Sequence, residues 1–226
     1  MRNSFKFALL LSLISHNLIR LPTMAGSKSE ITLHGSTEIV TEFFGYAVNS
    51  ILYQRGLYPA DAFKRVSKYG VTLFVSADDG FNKYLSQVMS QLKKWLLAND
   101  LEQLVLVIAN AANNETLERW VFKIETTDLE NRDPDVQRAT KTDKEIASEI
   151  GAIIRQITSS VTFLPALEDF CTFDLLVYTR KDATVPTEWE DSDPKFISNS
   201  TEVSLRSFTT KVHKVDTMVS YRAPAV

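Results

Sequence analysis

The chain has 226 residues, 44% of them apolar and 23% charged, with 25 Lys and Arg against 28 Asp and Glu for a net charge of −3. Such a chain buries a real core and is neither a disordered polymer nor a multi-span membrane protein. It also lacks the basic surplus of a protein that lives on phosphate backbones, so no nucleic-acid partner is expected. Seven glycines and one cysteine leave little room for a glycine-rich phosphate cradle. They allow no disulfide framework and no four-cysteine zinc site, and the lone thiol favours a reducing compartment.

In residues 1–23, Arg2 and Lys6 precede an apolar run from Phe7 to Ile14, the layout of a secretory signal. The run is too short to cross a bilayer, so no membrane insertion is expected. No small-x-small cleavage site follows, and Met24 opens a polar stretch, MAGSKSE. Residues 1–23 are expected to be a spurious or signal-like extension outside the fold, with 24–30 a flexible lead-in. A true signal is the rival reading, and Asn114 and Asn199 would then offer glycosylation acceptors.

Between His34 and Tyr53, the apolar residues Ile39, Val40, Phe43, Phe44, Ala47 and Ile51 fall at helical steps. Val71–Val75 is β-branched and aromatic and reads as a strand. A second helix starts at Asp78 or Asp79 and runs to about Ala98, with Phe81, Leu85, Val88, Leu92 and Trp95 on its apolar face. Leu104–Ala109 reads as a strand covered on both sides, and Leu117–Ile124 as its hairpin partner across Ala112–Glu115. Residues 126–140 are polar and charged and predict a flexible loop.

A third helix spans about Thr142–Ser160, with Ile146, Ile150, Ile153, Ile154 and Ile157 as its stripe. Phe173–Tyr178 is a strand. Thr179–Glu202 shows no regular pattern but contains Trp189 and Phe196. Val203–Tyr221 alternates with period two but changes phase twice, and its final turn is set at Lys211–Lys214. The fold class is α+β with a mainly antiparallel sheet.

Catalysis lacks its parts. His16, His34 and His213 stand apart from metal-spaced partners, Cys171 reads as a small apolar filler at a strand edge, and no GxSxG elbow occurs. Glu145 and Glu149 form an i,i+4 pair that reads as a solvated helix face. No enzyme activity and no cofactor are expected.

Three features point instead to binding. On the third helix, Arg155 is ringed by Ser148, Gly151, Ala152 and Ser159, small residues that let a partner come close. The Thr179–Glu202 connection is long for a compact domain. The C-terminal stretch has weakly specified strand register.

Four blocks, ITLHGSTEIVTEFFGYAVNSILYQRGLYP, LERWVFKIE, IIRQITSSVTFLP and LRSFTTKVHKVDTMVSY, closely resemble the spindle-assembly-checkpoint branch of the HORMA-domain family, the mitotic arrest deficient two family. The likeness runs from about Ile31 to Tyr221. It implies one HORMA domain over 31–221 and a short tail over 222–226. Three central helices would pack on an antiparallel sheet, with a mobile C-terminal safety belt over 179–221. A protein of that family switches between open and closed conformers and wraps a partner peptide that adds to the sheet as a strand.

The resemblance implies several partners. They are the mitotic arrest deficient one protein, the activator subunit of the anaphase-promoting complex, the kinase-like subunit of the mitotic checkpoint complex and an AAA+ ATPase with a HORMA-like adaptor. It further implies pairing of open with closed conformers through Arg155, Gln156, Phe163 and Arg206. Trp189, Phe208, His213, Thr217 and Val219 are expected to seat the belt, with Ser200 and Thr217 as possible phosphorylation sites. Nucleus, kinetochore and cytoplasm are the expected locations. A translesion polymerase zeta accessory subunit, a meiotic axis protein and a secreted domain are the alternatives.

Overall fold

The computed structural model describes residues 3–7, 33–126 and 141–222. In chain order its elements are β1 (Asn3–Phe7), α1 (Leu33–Gln54), β2 (Phe63–Lys68), β3 (Val71–Ser76), α2 (Asp79–Leu97), β4 (Leu101–Asn110), β5 (Thr116–Thr126) and α3 (Asp143–Ser159). There follow β6 (Cys171–Thr179), β7 (Trp189–Asp191), β8 (Ser200–Ser204), β9 (Phe208–Thr209) and β10 (His213–Arg222).

Everything packs around α1. Val40, Phe43, Phe44, Ala47, Val48, Ile51 and Leu52 have no exposed surface. An apolar stripe that wide needs cover from more than one side, and α2, α3, β3 and the main sheet supply it. The flanking helices are begun by side chains. The Asp78 carboxylate accepts from the Phe81 N–H at 2.6 Å, and Thr142 with Glu145 forms a capping box for α3. The isoleucine stripe of α3 is buried as the periodicity required.

The main sheet runs β7-β1-β6-β4-β5-β10-β8, with β9 also on β10, and every strand pairing among the described residues is antiparallel. Leu104–Ile108 lies in the middle and is covered on both faces. Leu104, Leu106 and Ile108 meet the helices, whereas Val105 and Val107 join Val121, Leu176 and Tyr178 on the far side.

Four readings change. First, the leader is not wholly outside the fold, because Asn3–Phe7 is a strand inside the sheet. Secondly, β2 is a strand that sequence reading missed. It alternates with Lys and Arg, and it turns into β3 through Tyr69 and Gly70, both at positive φ, not through Asn-Gly.

Thirdly, the patternless 179–202 stretch contains β7 and the start of β8. These are too short for periodicity to register. Fourthly, the last turn lies at 210–213, where the Thr210 N–H donates to the His213 carbonyl at 2.8 Å, one residue before the expected place. The Glu145–Glu149 pair lies on a solvated helix face as expected, and each carboxylate also holds a neighbour. Glu145 caps α3, and Glu149 accepts from Lys141 Nζ at 2.6 Å and the Thr209 N–H at 3.2 Å. Cys171 is half-buried at the start of β6, with its thiol donating to the Asp169 carbonyl at 3.3 Å. The loop expected over 126–140 lies, beyond Thr126, outside the described residues.

Candidate functional site

The free edge of β6 carries an inserted strand and a strap over it. β1 pairs with β6 in the register Ser4↔Tyr178, Phe5↔Val177 and Lys6↔Leu176. On its other side it pairs with β7, with Lys6↔Glu190 and Phe7↔Trp189. Phe5 is buried in the main core. Phe7 packs edge-on against Trp189 at 5.5 Å and tilted against Tyr84 at 5.9 Å.

After β6 the chain is fastened to α2 before it returns. Arg180 N–H donates to the Asp100 carbonyl at 2.9 Å, just past the helix. Trp95 Nε1 donates to the Thr184 carbonyl at 3.0 Å, and Ala183 and Val185 pack on the core. Trp189 is buried against Trp95, with ring centroids 4.9 Å apart. Beyond β7 the Ser192 N–H donates to the Ser4 carbonyl at 2.8 Å. Residues 192–199 then cross the far face of the sheet, where the Phe196 ring lies 4.7 Å from the Arg119 guanidinium. β8 begins at the opposite edge of the same sheet. Trp189 therefore docks, whereas Phe196 stays largely exposed.

The C-terminal hairpin sits on β5. Phe208 packs edge-on against Phe43 at 4.9 Å. Val219 is fully buried between Trp120 on β5 and Val203 on β8. Thr217 is buried opposite Phe122, and its hydroxyl has no hydrogen-bond partner. A phosphate on Thr217 thus requires β10 to come away first, while Ser200 is half-exposed at the head of β8.

His213, the first residue of β10, is buried against the first turn of α1. Its Nδ1 lies 2.6 Å from Ser36 Oγ, which lies 2.5 Å from Thr210 Oγ1. Burial pulls its imidazole down to about 4, so the ring is neutral at pH 7.

A second surface lies over α3. Arg155, Gln156 and Arg206 come together around a shallow depression of about 440 Å³, with Ala152 and Ser159 beside them. Gln156 Oε1 accepts from the Arg206 N–H at 2.6 Å, tying the helix to the segment before β9. Phe163 is part-exposed just past the helix and rests near Tyr221.

Gly151 does not belong to this open face. A Cβ there would stand 2.5 Å from the Tyr69 carbonyl oxygen, so the β2–β3 turn covers it. The small residue serves a close internal approach. Sequence reading missed Phe5, Phe7, Trp95 and Glu190 as parts of the clasp. The Phe5-Lys6-Phe7 alternation was present but read as the start of a leader.

A HORMA-domain model matches residues 36–213, a span that excludes β1 and all of β10 after His213. The chain belongs to the HORMA-domain family. Among HORMA proteins, it is 58% identical over 196 residues to the mitotic spindle assembly checkpoint protein MAD2A of Dictyostelium discoideum, covering 87% of this chain and 95% of that one. Against human MAD2A the identity is 55% over 194 residues, covering 86% and 94%. A chain in a crystal structure of the mitotic checkpoint complex superposes with a TM-score of 0.75 at 46% identity, covering 84% of this chain and 99% of that one. The sequence blocks that resembled the checkpoint branch of HORMA proteins thus have their counterpart at the level of whole chains and of fold.

Proposed function

We propose that this chain is a spindle-assembly-checkpoint protein that entraps an extended partner segment between β6 and β7 and so delays anaphase. The observation that carries this reading is the clasp. One short strand is held on both sides by backbone pairing, while 180–191 is pinned to α2 and the C-terminal hairpin occupies β5. Strand addition gives affinity through main-chain hydrogen bonds and selectivity through alternate side chains. Residues 179–221 act as the belt. Trp189, Phe208, His213, Thr217 and Val219 seat it, and this arrangement is its closed state.

The relatives' checkpoint names and the checkpoint-complex chain that shares the fold support binding of checkpoint partners, and the resemblance implies which. They are the mitotic arrest deficient one protein, the activator subunit of the anaphase-promoting complex, and the kinase-like subunit of the checkpoint complex. An AAA+ ATPase with its HORMA-like adaptor reopens the clasp. The protein acts by binding, without catalysis, in the nucleus, at kinetochores and in the cytoplasm. Arg155, Gln156, Phe163 and Arg206 form the surface that joins an open to a closed copy. A polymerase zeta accessory or meiotic axis role is less supported, because relatives above 50% identity carry the checkpoint name.

Surface plasmon resonance with the full chain and a segment of the mitotic arrest deficient one protein tests the reading. Slow dissociation is expected, because an enclosing belt must partly unfold before its ligand leaves. The chain ending at Asp216 should lose capture while keeping its helical signal. Rapid release, or equal binding by the truncated chain, refutes it.

A further inference from the structure

The strand held in the clasp belongs to this chain, and the HORMA match does not include it. We propose that Asn3–Phe7 is a tethered internal ligand that occupies the β6–β7 slot in cis, so that a partner segment must displace it. This rests on the reading of the slot as the capture site.

Several independent observations carry the proposal. The segment is paired on both edges, with β6 and with β7, so its backbone groups are used as those of an internal strand. Its side chains match the slot position by position. Phe5 is buried in the main core, and Phe7 fills the space between Trp189 and Tyr84. Between them Lys6 faces outward and its Nζ lies 3.4 Å from Glu190. Ser4, opposite Tyr178, is buried. The pattern large apolar–basic–large apolar is thus satisfied at three successive positions, Phe5, Lys6 and Phe7.

Tethering adds to this fit. Segment 8–32 reaches roughly 80 Å when extended, ample to bring β1 to the edge of its own sheet. Covalent linkage over such a length supplies the ligand at an effective concentration of roughly millimolar. An outside segment then competes with an occupant that never diffuses away, and a chain starting at Met24 would lack that competitor.

Two measurements test it on the full chain. The probe is a fluorescein-labelled synthetic peptide with the sequence of residues 1–12. By fluorescence anisotropy the wild-type chain should take it up at least about 10-fold more slowly than a chain carrying Phe5→Asp and Phe7→Asp, whose slot is vacated. Addition of the peptide should protect the β6 amides of the double variant from hydrogen exchange. Equal uptake by both chains, or no uptake by the double variant, overturns the proposal.

The second measurement does not depend on that variant folding. Lys6→Cys with Glu190→Cys, in a Cys171→Ser background, places thiols at directly paired positions of β1 and β7, within the reach of a disulfide. Oxidation should yield an intramolecular bond in the monomer and abolish peptide uptake, and reduction should restore it. Absence of the bond, or uptake unaffected by it, overturns the proposal. The same chains separate this idea from the checkpoint reading. If the double variant takes its own peptide but refuses the partner segment, self-occupancy stands and the checkpoint assignment fails. If wild type and variant take the partner segment equally fast, capture stands and self-occupancy fails.

Discussion

His213 makes the seating of the C-terminal hairpin sensitive to acid. Its ring is buried, with Nδ1 on Ser36 and Nε2 without a partner. Burial lowers its pKa to about 4, against about 6.5 in the unfolded chain. Between those values the unfolded chain binds a proton that the folded chain refuses. Stability from the neutral ring is therefore fully present above about pH 6.5, falls as the pH drops, and stops falling below about pH 4.

From pH 7 to pH 5 this loss is about 1.8 kcal/mol, a factor of about 20 in the folding equilibrium. His213→Leu removes the titration and leaves Ser36 and Thr210 hydrogen-bonded to each other, so no new orphan is created. Urea unfolding of both chains at the two pH values reads the difference as a shift in midpoint at constant slope. Other groups are common to the two chains and cancel in the comparison. If the variant loses as much stability as wild type between pH 7 and pH 5, the reasoning about His213 is wrong.

Other perturbations probe other parts. Arg155→Glu with Gln156→Ala should give a folded monomer that still captures partner segments; an unchanged dimer by light scattering counts against the α3 surface. Arg55→Ala strands Glu118, a buried carboxylate 2.5 Å from Arg55 Nη2 that also accepts from Trp120 Nε1. It should cost about 3–5 kcal/mol by chemical denaturation, while Arg55→Met with Glu118→Leu should recover most of the loss. Gly151→Ala forces a methyl against the Tyr69 carbonyl and should cost about 1–3 kcal/mol, with faster hydrogen exchange in the β2–β3 hairpin. Thr217→Glu puts a charge into a buried site without a partner and should drive the hairpin off β5, read as lost protection of the β5 amides.

The helices were legible because their apolar residues recur at strict helical steps and their caps are local. The α3 stripe and the β4 run appear in the sequence as they appear in the structure. What stayed hidden depends on contacts distant in sequence. Gly151 looked like part of an open face until Tyr69 was placed over it. β7 has three residues and no alternation to detect, and it exists because Phe7 and Trp189 meet. β2 is masked by its charges, which are tolerable on a two-stranded ribbon with one wet side. Arg155, Gln156 and Arg206 were assignable by resemblance, but the bond from Arg206 to Gln156 is a property of the fold alone.

The strap over 192–199 carries a geometric consequence. β7 and β8 lie at opposite ends of a seven-strand path, so their separation is six interstrand spacings, about 29 Å on a flat sheet. Eight linking residues can stretch at most about 29 Å, positive φ at Lys195 and Asn199 takes up some of that length, and the twist of the sheet must bring its two edges closer than the flat-sheet figure. The loop that results has hardly any slack. It cannot widen to let a thick object slip through endwise, so a guest flanked by folded domains can enter or leave only after one anchorage has been undone. Release of such a guest must therefore begin with the unpicking of strand pairing, and a pull on the guest alone does not free it.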